Sequence, residues 1–590
     1  MSNDTSDASI EPVDRFTDWF GFDTENDKDG KITLTALVHE SGNKTVWQGQ
    51  GHFVDFCEKK LDKGKPVVIC HNLEYDLVNE FGIENYSKMA LNYLKGRLIS
   101  ARLGNITFWD SFNHFRMSLA QIGKSLGLQK LDFDINSPDY VAMDAWICLQ
   151  VMTKARDYIA SLNGRIGTTS GSSAMSVWRS MTSDEFVTGP YDTPWARRGY
   201  YGGRVEIFRP HTQCEIIGYE DNKAGGEDPI RARDIRSFDI NSMYPFVMMN
   251  DFPEYMMEDP RLEKDQGMAE VTIAIPTDLF VAPLVWRTAN NALWYPVGVI
   301  SGVWTYNEIR YAEKMGAKVL EVHRAYGCNS LVRPFDEFIT TLYDKRKKSK
   351  VESERLFLKV VMNSLYGKIA SKNEVTRTVS RFNLVKSGSK RLADVKWINY
   401  HRGLLDYKTP QQPYVNVYWG AMITANARLL LTDYLNKVPA DDLIYCDTDS
   451  VYARNFRFKE SPELGGMKLE KEASTMVVVQ PKAYQIDEFY RAKGVPRPRE
   501  SEDGTMMIDF AQQYIEKGMT EFMAPIRFRA SLNSHRGKAN QWVTHKKSRK
   551  SPYSAKQLSG DRYYPPVIGK QLDLFGSAVT TKPSRVKPTK

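Results

Sequence analysis

The chain has 590 residues and a formal net charge of +8, with 42% hydrophobic and 26% charged residues and a mean hydropathy of −0.46. This composition is typical of soluble proteins of several domains, and it excludes collagen-like, disordered and membrane-embedded classes. No apolar run approaches the ~18 residues of a membrane-spanning helix, and the start of the chain lacks a signal-peptide pattern. We therefore expect a cytoplasmic protein.

Basic residues are concentrated at the C-terminal end. Residues 526–590 contain 15 Lys and Arg but only Asp561 and Asp573, a local charge of +13. Such a block indicates either a surface for a polyanion or a solubilising tail, and charge alone leaves both open. The six cysteines include no C-x-x-C pair, which argues against a disulfide framework and a cysteine zinc site.

The N-terminal part alternates predicted strands and helices. Apolar runs on both sides of an acidic turn predict two strands between Trp19 and Val38. The segment KPVVICHNLEYDL predicts a buried strand, a polar turn and a helix. This alternation continues to about residue 160 and indicates one α/β unit, whereas the Gly-, Ser- and Thr-rich segment 161–176 is either a linker or a capped helix start.

Two features follow in the middle of the chain. Residues 334–349 and 351–370 carry apolar residues at helical spacing and predict a pair of helices. Segment 372–412 has nine Lys or Arg and three acids, with little sustained periodicity. We interpret it as an inserted basic hairpin or loop, although a solvated surface excursion explains it equally well.

Carboxylates at predicted strand ends indicate phosphoryl chemistry. In RSFDINSMYPFVM a strand leads to Asp239, and in DLIYCDTDSVYARN two short strands flank Asp447 and Asp449. Mg²⁺ prefers oxygen ligands, and two ions ~3.5–4 Å apart can stabilise both the attacking and the leaving oxygen of a phosphoryl transfer. Asp-x-Asp alone is more often a surface turn, so this interpretation needs a further segment.

That segment is FLKVVMNSLYGKIA, in which Lys359, Asn363 and Tyr366 fall on one face of a predicted helix. A cation suits a triphosphate, and an aromatic ring suits the face of a base pair. A lone Lys or Tyr is more often packed or solvated, but the whole face favours nucleotide binding. The neighbouring positions add further cations: Lys345, Arg346, Lys347, Lys348, Lys350 and Arg355.

On these segments the sequence resembles the family B DNA polymerases, and more closely their protein-primed branch from bacteriophages and linear plasmids. DINSMYP resembles D-x-x-S-L-Y-P with Met for Leu, KVVMNSLYG resembles K-x-x-x-N-S-x-Y-G, and YCDTDS resembles Y-G-D-T-D-S with Cys446 for Gly. YYGG at 200–203 and KAY at 482–484 resemble the smaller Y-x-G-G and K-x-Y elements. The resemblance implies a template-directed DNA polymerase that adds dNTPs to a 3′-hydroxyl with two Mg²⁺ or Mn²⁺ per active site.

The resemblance also implies roles for single residues. Asp239 and Asp449 would be the main metal ligands, with Asp447 as a supporting acid and Ile240 beside the metal and the nucleotide. Tyr244 would stack under the sugar and exclude a 2′-hydroxyl. The other implied nucleotide ligands are Lys347, Arg355, Lys359, Asn363 and Tyr366, and the implied DNA ligands are Tyr200, Gly202, Gly203, Lys482 and Tyr484.

A second set of acids lies upstream. Asp23 and Glu25 alternate on a predicted strand, Asp76 follows the buried strand VVIC, and Tyr140 and Asp144 are one helical turn apart. Each fragment alone is more often a cap or a surface charge, but together they can hold two metals and orient a water for phosphodiester hydrolysis. They resemble the motifs D-x-E, N-x-x-(F/Y)-D and Y-x-x-x-D of the 3′–5′ exonuclease module.

By that resemblance, the four acids are metal ligands and Tyr140 is the phenol that orients the water. Asn72 and Tyr75 would hold the frayed primer end. Ser111, Phe112 and Lys130 resemble further strand-binding and catalytic positions, with Phe112 where Leu is usual.

The implied fold is multidomain, α/β and α+β, with an RNase H-like 3′–5′ exonuclease domain followed by a right-hand polymerase. We expect these segments: disordered N-terminus 1–15, exonuclease 16–185, first palm part 186–260, terminal-protein-region-like insertion 261–333, fingers 334–371, basic insertion 372–412 of the strand-displacement and processivity type, second palm part 413–520, thumb 521–568 and basic tail 569–590.

The expected partners are primer–template DNA and dNTPs, with a terminal protein as a candidate primer, no membrane and a monomeric state. In the tail, Gln571, Leu572, Leu574 and Phe575 belong to QLDLF, which resembles a bacterial sliding-clamp-binding peptide or is simply an amphipathic strand end. A phage-encoded chain would act in the cytoplasm of a bacterial host. Three alternatives stay open: a nucleic-acid-primed family B polymerase that uses a clamp, a DNA-binding scaffold with a vestigial polymerase site, and a nuclease alone.

Overall fold

The computed structural model describes residues 18–27, 31–59, 64–132, 134–182, 193–208, 234–288, 291–372, 374–410, 412–500, 507–534, 539–548 and 585–586. The predicted N-terminus 1–15 and the clamp-like peptide lie outside these residues. The chain forms two compact units, each assembled from three segments. The first is Met1–Pro190, Phe335–Val415 and Met523–Val543, and the second is Tyr191–Pro334, Asn416–Phe522 and Thr544–Lys590.

The first 182 residues contain seven strands, five α-helices and the short 3₁₀ helix Ser111–Asn113 within the described ranges. The strands are β1 Trp19–Asn26, β2 Ile32–His39, β3 Lys44–Gln48, β4 Val67–Cys70, β5 Ala90–Leu94, β6 Arg97–Leu103 and β7 Ile106–Asp110. The helices are α1 His52–Lys59, α2 Leu73–Lys88, α3 Leu119–Leu126, α4 Pro138–Ser161 and α5 Ser170–Met181. The two strands predicted between Trp19 and Val38 are confirmed, whereas residues 28–30 of the predicted turn lie outside the described residues. The segment 161–176 contains a capped helix start, because the Thr169 side chain accepts a hydrogen bond from the Ser172 backbone amide.

A glycine brings α4 against β1. A Cβ atom at Gly21 would lie 2.0 Å from the backbone oxygen of Ala145, so no larger residue fits at this packing distance. The neighbouring strand β4 is buried along its whole length, as its continuous apolar sequence predicts. This packing holds the start of α4 beside the acidic end of β1.

The second unit begins with residues 193–334. The helices there are α6 Pro194–Arg198, α7 Met243–Met248 and α8 Tyr306–Lys314, and the strands are β8 Val205–Ile207, β9 Ile235–Ile240, β10 Phe252–Pro253, β11 Met257–Glu258, β12 Gln266–Ile275, β13 Trp286–Arg287, β14 Leu293–Trp294, β15 Val297–Thr305, β16 Lys318–Cys328 and β17 Leu331–Val332. Strands β15 and β16 pair antiparallel with the two edges of β12, so the predicted first insertion has its own sheet and apolar core.

The chain then returns to the first unit. It forms α9 Asp336–Lys348, α10 Glu352–Ile369, β18 Glu374–Ser380, α11 Arg381–Lys386, β19 Lys396–Trp397 and β20 Arg402–Lys408. The predicted helical pair is confirmed. The predicted basic insertion is a hairpin, and its strand β18 pairs antiparallel with β5. The resulting sheet has ten strands in the order β19-β20-β18-β5-β6-β7-β4-β1-β2-β3.

The remaining described elements are α12 Val417–Leu435, β21 Leu443–Asp447, β22 Ser450–Arg454, β23 Met467–Ala473, β24 Met476–Gln480, β25 Ala483–Ile486, β26 Phe489–Ala492, β27 Arg499–Glu500, β28 Met507–Ile508, α13 Phe510–Lys517, β29 Met519–Pro525, α14 Phe528–Ser534, β30 Trp542–Ser548 and β31 Arg585–Val586. The central sheet of the second unit has the order β23-β9-β22-β21-β8. The predicted thumb range is divided, because its residues 523–543 group with the first unit. Among the described helices, none combines the length and the apolar composition that a bilayer crossing requires.

Candidate active sites

Three predicted exonuclease carboxylates meet in the first unit. Asp23 and Glu25 lie on β1 and Asp144 lies on α4, and one oxygen from each falls within 4.8 Å of the other two. Asp76, in the first turn of α2, accepts a hydrogen bond of 2.8 Å from the hydroxyl of Thr24. The structure therefore gathers residues that are up to 121 positions apart in the chain.

The carboxylates of this cluster are buried close together, and both burial and mutual repulsion disfavour their charged forms. Burial raises the pKa of Asp23 well above its usual value, and the charges of Asp76, Asp144 and Glu25 raise it further. Burial, followed by the charge of Asp144, raises the pKa of Glu25 to about 7. One oxygen of Asp144, Oδ1, is buried without a hydrogen-bond partner. Oxygen ligands crowded in this way suit a divalent cation, so the residues fit the predicted metal ions.

Lys130 is the cation within this cluster. Its ammonium group donates to Asp144 Oδ2 and lies 4.7 Å from the centre of the Tyr140 ring. Burial lowers the pKa of Lys130, but the hydrogen bond to Asp144 and its charge outweigh that effect, so the net direction is upward. Lys130 and Tyr140, which were both predicted for this site, lie beside Asp144.

The predicted strand-binding residues are held by an acid that the motifs did not identify. Asp110 Oδ1 accepts the backbone amides of Asn72 and Phe112, both at 2.9 Å. Asn72 has a left-handed backbone, with φ of 79°, and an exposed side chain. Asp110 ends β7 just before a short helix, and this strand-end position was the signal in the sequence that could have found it.

Ser111 requires a correction. Its side chain is fully buried, and its hydroxyl donates to the backbone oxygen of Cys70 at 2.9 Å. A ring nitrogen of His71 forms a second hydrogen bond with the same hydroxyl, at 2.8 Å. Because both groups lie inside the fold, Ser111 maintains the backbone around Phe112 instead of presenting its hydroxyl to a strand.

In the second unit, Asp239 lies on β9, and Asp449 ends the turn that leads into the neighbouring strand β22. Asp239 on β9 is directly opposite Ser450 on β22, and the Ser450 hydroxyl donates to Asp239 Oδ1 at 3.2 Å. The backbone amide of Ile240 donates to the backbone oxygen of Asp449 at 2.9 Å. Burial raises the pKa of Asp449, and the charge of Asp447 raises it further. The Ile240 side chain is buried, so only its backbone is available to a ligand.

Asp447 is tied to the predicted K-x-Y element. Lys482 Nζ forms a short ion pair with Asp447 Oδ1, and the backbone amide of Lys482 donates to the Tyr445 hydroxyl at 2.9 Å. Tyr484 is buried, and its hydroxyl is hydrogen-bonded to that of Tyr452 at 3.1 Å. The prediction that Tyr484 itself contacts DNA is therefore wrong for this structure, since its ring belongs to an internal tyrosine cluster behind Lys482.

The Y-x-G-G element supports the Asp447–Asp449 turn. The turn residue Thr448, with φ of +67°, donates its amide to the backbone oxygen of Arg204 at 2.7 Å. A Cβ atom at Gly203 would lie 2.8 Å from Thr448 Cγ2. The absence of a side chain at Gly203 thus allows the turn to approach this segment.

Two buried charges that sequence reasoning missed hold the same element. Arg428 on α12 donates to the backbone oxygens of Tyr201 at 3.1 Å and Gly202 at 3.0 Å, and it forms an ion pair of 2.6 Å with Glu308 on α8. A single charged residue in the mostly apolar run MITANARLLL was the available signal.

Cys446, which stands where the family motif has Gly, is fully buried on β21. Burial raises the pKa of its thiol to about 12. The extra side chain therefore packs into the core of the sheet.

The predicted nucleotide face is present on α10 in the first unit. The apolar side of this helix is buried, whereas Lys359 is exposed and Asn363 and Tyr366 are half-buried. The Asn363 side-chain amide donates to the Lys359 backbone oxygen at 2.8 Å. Lys347 and Arg355 are exposed as well. In the second unit, Tyr244 is half-buried on α7, and Tyr200 is half-buried, with its backbone oxygen accepting from Arg287 Nη2 at 2.9 Å.

Comparisons with known proteins show that this chain is similar to DNA polymerases. The family model described as DNA polymerase type B, organellar and viral, matches residues 120–383. The DNA-directed DNA polymerase of Enterobacteria phage PRD1 is 22% identical over 431 residues, covering 68% of this chain and 70% of its own. A probable DNA polymerase of Neurospora intermedia is 25% identical over 48% of this chain, a match that spans only 30% of that relative's length.

The fold has solved counterparts. The structure of Phi29 DNA polymerase complexed with primer–template DNA covers 90% of this chain and 100% of its own, with a TM-score of 0.66 and 14% sequence identity. A ternary complex of the same polymerase with incoming nucleotides gives a TM-score of 0.64. This likeness confirms the predicted multidomain fold, an exonuclease domain followed by a right-hand polymerase. The motifs, the family model and the phage relative thus point the same way, to a similarity with type B DNA polymerases of organelles and viruses.

Proposed function

We propose that this protein is a template-directed DNA polymerase with a 3′–5′ exonuclease that removes mispaired primer ends. One observation carries the proposal: each unit brings together carboxylates from distant parts of the sequence, Asp239 and Asp449 in one and Asp23, Glu25 and Asp144 in the other. Two separate acidic sites suit two separate reactions on phosphodiesters.

In the exonuclease reaction, the acids of the first unit hold the metal ions, which supply Lewis acidity and an activated water when bound. Lys130 contacts Asp144 and the Tyr140 ring, so it keeps both side chains beside the cluster. Tyr140 orients the attacking water through its hydroxyl. Asn72 and Phe112, both anchored on Asp110, bind the last nucleotides of the strand.

In the polymerase reaction, Asp239 and Asp449 hold the metal ions, and Asp447 keeps Lys482 in place near them. The exposed Lys359, with Lys347 and Arg355, neutralises the triphosphate of the incoming dNTP. Tyr244 excludes nucleotides that carry a 2′-hydroxyl.

The test is a pair of variants assayed on labelled primer–template DNA with Mg²⁺. Asp449→Ala should abolish extension in the presence of dNTPs and leave degradation unchanged, whereas Asp76→Ala should do the reverse, because each removes a ligand from only one site. Asp278→Ala, an exposed acid elsewhere in the second unit, is the control and should retain both activities.

Loss of both activities in either variant would show that the sites are wrongly assigned. A wild-type protein that degrades but never extends would favour a nuclease, and one that binds DNA without either activity would favour a scaffold.

Protein priming, strand displacement and a monomeric state complete the proposal. The motif resemblance and the two inserted segments support priming by the hydroxyl of a terminal protein. Clamp binding through Leu574 and Phe575 remains part of the proposal for a bacterial host.

A further inference from the structure

The turn between β9 and α7 is bound by a distant segment of the second unit, residues 461–466. The backbone amide of Asn241 donates to the backbone oxygen of Gly466, and the backbone amide of Gly465 donates to the backbone oxygen of Asn241, both at 2.9 Å. The side-chain amide of Asn241 also donates to the backbone oxygen of Ser461 at 2.8 Å, although the two residues are 220 positions apart. Three hydrogen bonds therefore join the turn to segment 461–466.

Segment 461–466 is itself held by two other elements. The hydroxyl of Tyr434 on α12 donates to the backbone oxygen of Gly465 at 3.0 Å. Met467, the residue after the segment, begins β23 and pairs with Ile240 on β9. These contacts make the segment a fixed support for the residues that pack on it.

An aromatic ring of α7 lies directly on Gly465. A Cβ atom at Gly465 would lie 2.6 Å from Cγ and Cδ1 of Phe246 and 2.8 Å from its Cδ2. The backbone of Gly465 is also left-handed, with φ of +75°, so this position favours glycine for two reasons. Because Gly465 is buried and Phe246 is 36% exposed, the ring covers the glycine at the surface of the second unit.

Helix α7 depends on contacts with its surroundings. It has six residues, and Ser242 at its N-cap has a left-handed backbone and forms no side-chain cap hydrogen bond. A helix this short and without a cap is marginal by itself. Its residues Met243 and Val247 are buried, and the contact of Phe246 with Gly465 adds a further anchor.

The proposed sugar filter, Tyr244, lies on the same helix. It stands in the first turn of α7, five positions after Asp239, and is half-buried. Steric exclusion of one hydroxyl is selective only when the excluding side chain cannot yield, because a pocket that relaxes rejects an added hydroxyl weakly. Selection against ribose therefore requires that α7 be held stiffly.

We propose that segment 461–466, through the contact of Gly465 with Phe246, holds Tyr244 in place and thereby sets the discrimination between dNTPs and rNTPs. Gly465 and Phe246 are positioning residues, because they act through Tyr244. The inference rests on the proposed polymerase function and on the role of Tyr244 in it, and it adds the structure that makes this role selective.

The experiment measures insertion of a single dCTP or CTP opposite a template guanine with Mg²⁺. Gly465→Ala should lower the ratio of the two insertion efficiencies, kcat/KM for dCTP over that for CTP, about tenfold, because the ring can no longer rest on residue 465. Phe246→Ala should lower the ratio likewise, whereas Phe246→Tyr keeps the ring and should retain most of it. The double variant Gly465→Ala with Phe246→Ala should be no worse than the more severe single variant, since both changes break one contact.

Gly494→Ala is the matched control. Gly494 lies in the same unit with φ of +76°, and the nearest atom to a Cβ there would be Lys547 Nζ, the end of a flexible side chain, at 3.3 Å. This variant therefore has the same backbone strain without a ring in the way, and it should keep the wild-type ratio. A ratio for Gly465→Ala that equals or exceeds that of Gly494→Ala would overturn the inference, even if both variants extend primers slowly.

Failure of the proposed function gives a different result. If Tyr244→Val keeps the wild-type ratio, Tyr244 is not the sugar filter, and the inference fails with that assignment. If Tyr244→Val lowers the ratio and Gly465→Ala does not, the inference alone fails.

A wild type that extends no primer would refute the polymerase assignment. The affinities of dCTP and CTP for the complex with a dideoxy-terminated primer, measured by calorimetry, then decide the inference. A smaller preference for dCTP in Gly465→Ala than in Gly494→Ala would support it, and an equal preference, or no binding of either nucleotide, would refute it.

Discussion

The turn that carries Asp447 and Asp449 depends on a single small residue, Gly203. Its φ is not in the left-handed region, so the structure requires glycine there for space and not for backbone conformation. A Cβ atom would meet Thr448 at 2.8 Å, whereas a Cβ atom at the adjacent Gly202 would meet only Leu293 Cδ1, at 3.9 Å. The two glycines therefore form a matched pair for substitution.

We predict that Gly203→Ala lowers the rate of primer extension about a hundredfold, because a displacement of about 1 Å in a reacting group is enough for such a loss. Gly202→Ala should stay close to the wild type, and both variants should degrade single-stranded DNA normally. Single-turnover extension measures the effect. Equal extension rates in the two variants would contradict the role given to Gly203.

Motifs located the acids of both sites but not the residues that orient them. The motifs are short patterns of the residue types that metal binding requires, and they contain Asp239, Asp449, Asp23 and Asp144. The supporting residues act through partners far away in sequence: Arg428 pairs with Glu308, 120 positions distant. Such pairings follow from the packing of helices and strands, which no short pattern specifies.

At the scale of elements, the basic insertion extends a sheet that the N-terminal residues begin. Its strand β18 pairs with β5, and Leu404 on β20 belongs to the apolar core of the first unit. The predicted hairpin is therefore part of the first unit's sheet. Its basic tip, 381–401, carries the exposed Phe382 and Tyr400.

We predict that the tip, with the short edge strand β19, can be removed while β18 and β20 stay paired in the sheet. Ser380 pairs directly with Arg402, so replacement of residues 381–401 by Asn-Gly gives a two-residue hairpin of the favoured kind. The variant should retain exonuclease activity and short primer extension but lose long synthesis on a nicked circular template. Removal of all of 374–408 should instead lower the melting temperature, because it uncovers the β5 edge and Leu404. Full-length products from the tip-deleted variant would contradict a role in strand displacement.

The helical pair could be predicted from periodicity, and the strand ends from their apolar runs. The partner of each strand could not be predicted from the sequence, because strand pairing depends on the edges that the folded sheet presents. The junction at β18 and β5 joins residues almost 300 positions apart, and nothing in either sequence specifies that contact.

At the scale of the whole molecule, both units are discontinuous in sequence. Residues 523–543 were predicted to belong to a thumb, yet Phe528 lies in the core of the first unit. The centres of the Phe528 and Tyr86 rings are 4.8 Å apart, in an edge-to-face contact. Asn540 donates from its side-chain amide to the backbone oxygen of Tyr75 at 2.9 Å. The C-terminal part of the chain thus completes a unit that the N-terminal residues begin.

This arrangement makes the proposed exonuclease site dependent on the segment 523–543. Phe528→Ala removes a fully buried ring, and we expect a loss of about 3–5 kcal/mol in the stability of the first unit. Because Tyr86 and Tyr75 lie on α2 with Asp76, degradation of single-stranded DNA should become heat-sensitive at a lower temperature than in the wild type. Phe382→Ala, at a side chain that is 71% exposed in the same unit, is the matched control and should change neither property. Denaturant unfolding together with the temperature dependence of degradation gives both measurements. If Phe528→Ala unfolds and degrades like Phe382→Ala, the C-terminal segment does not support the first unit, and the buried contact with Tyr86 has no energetic consequence.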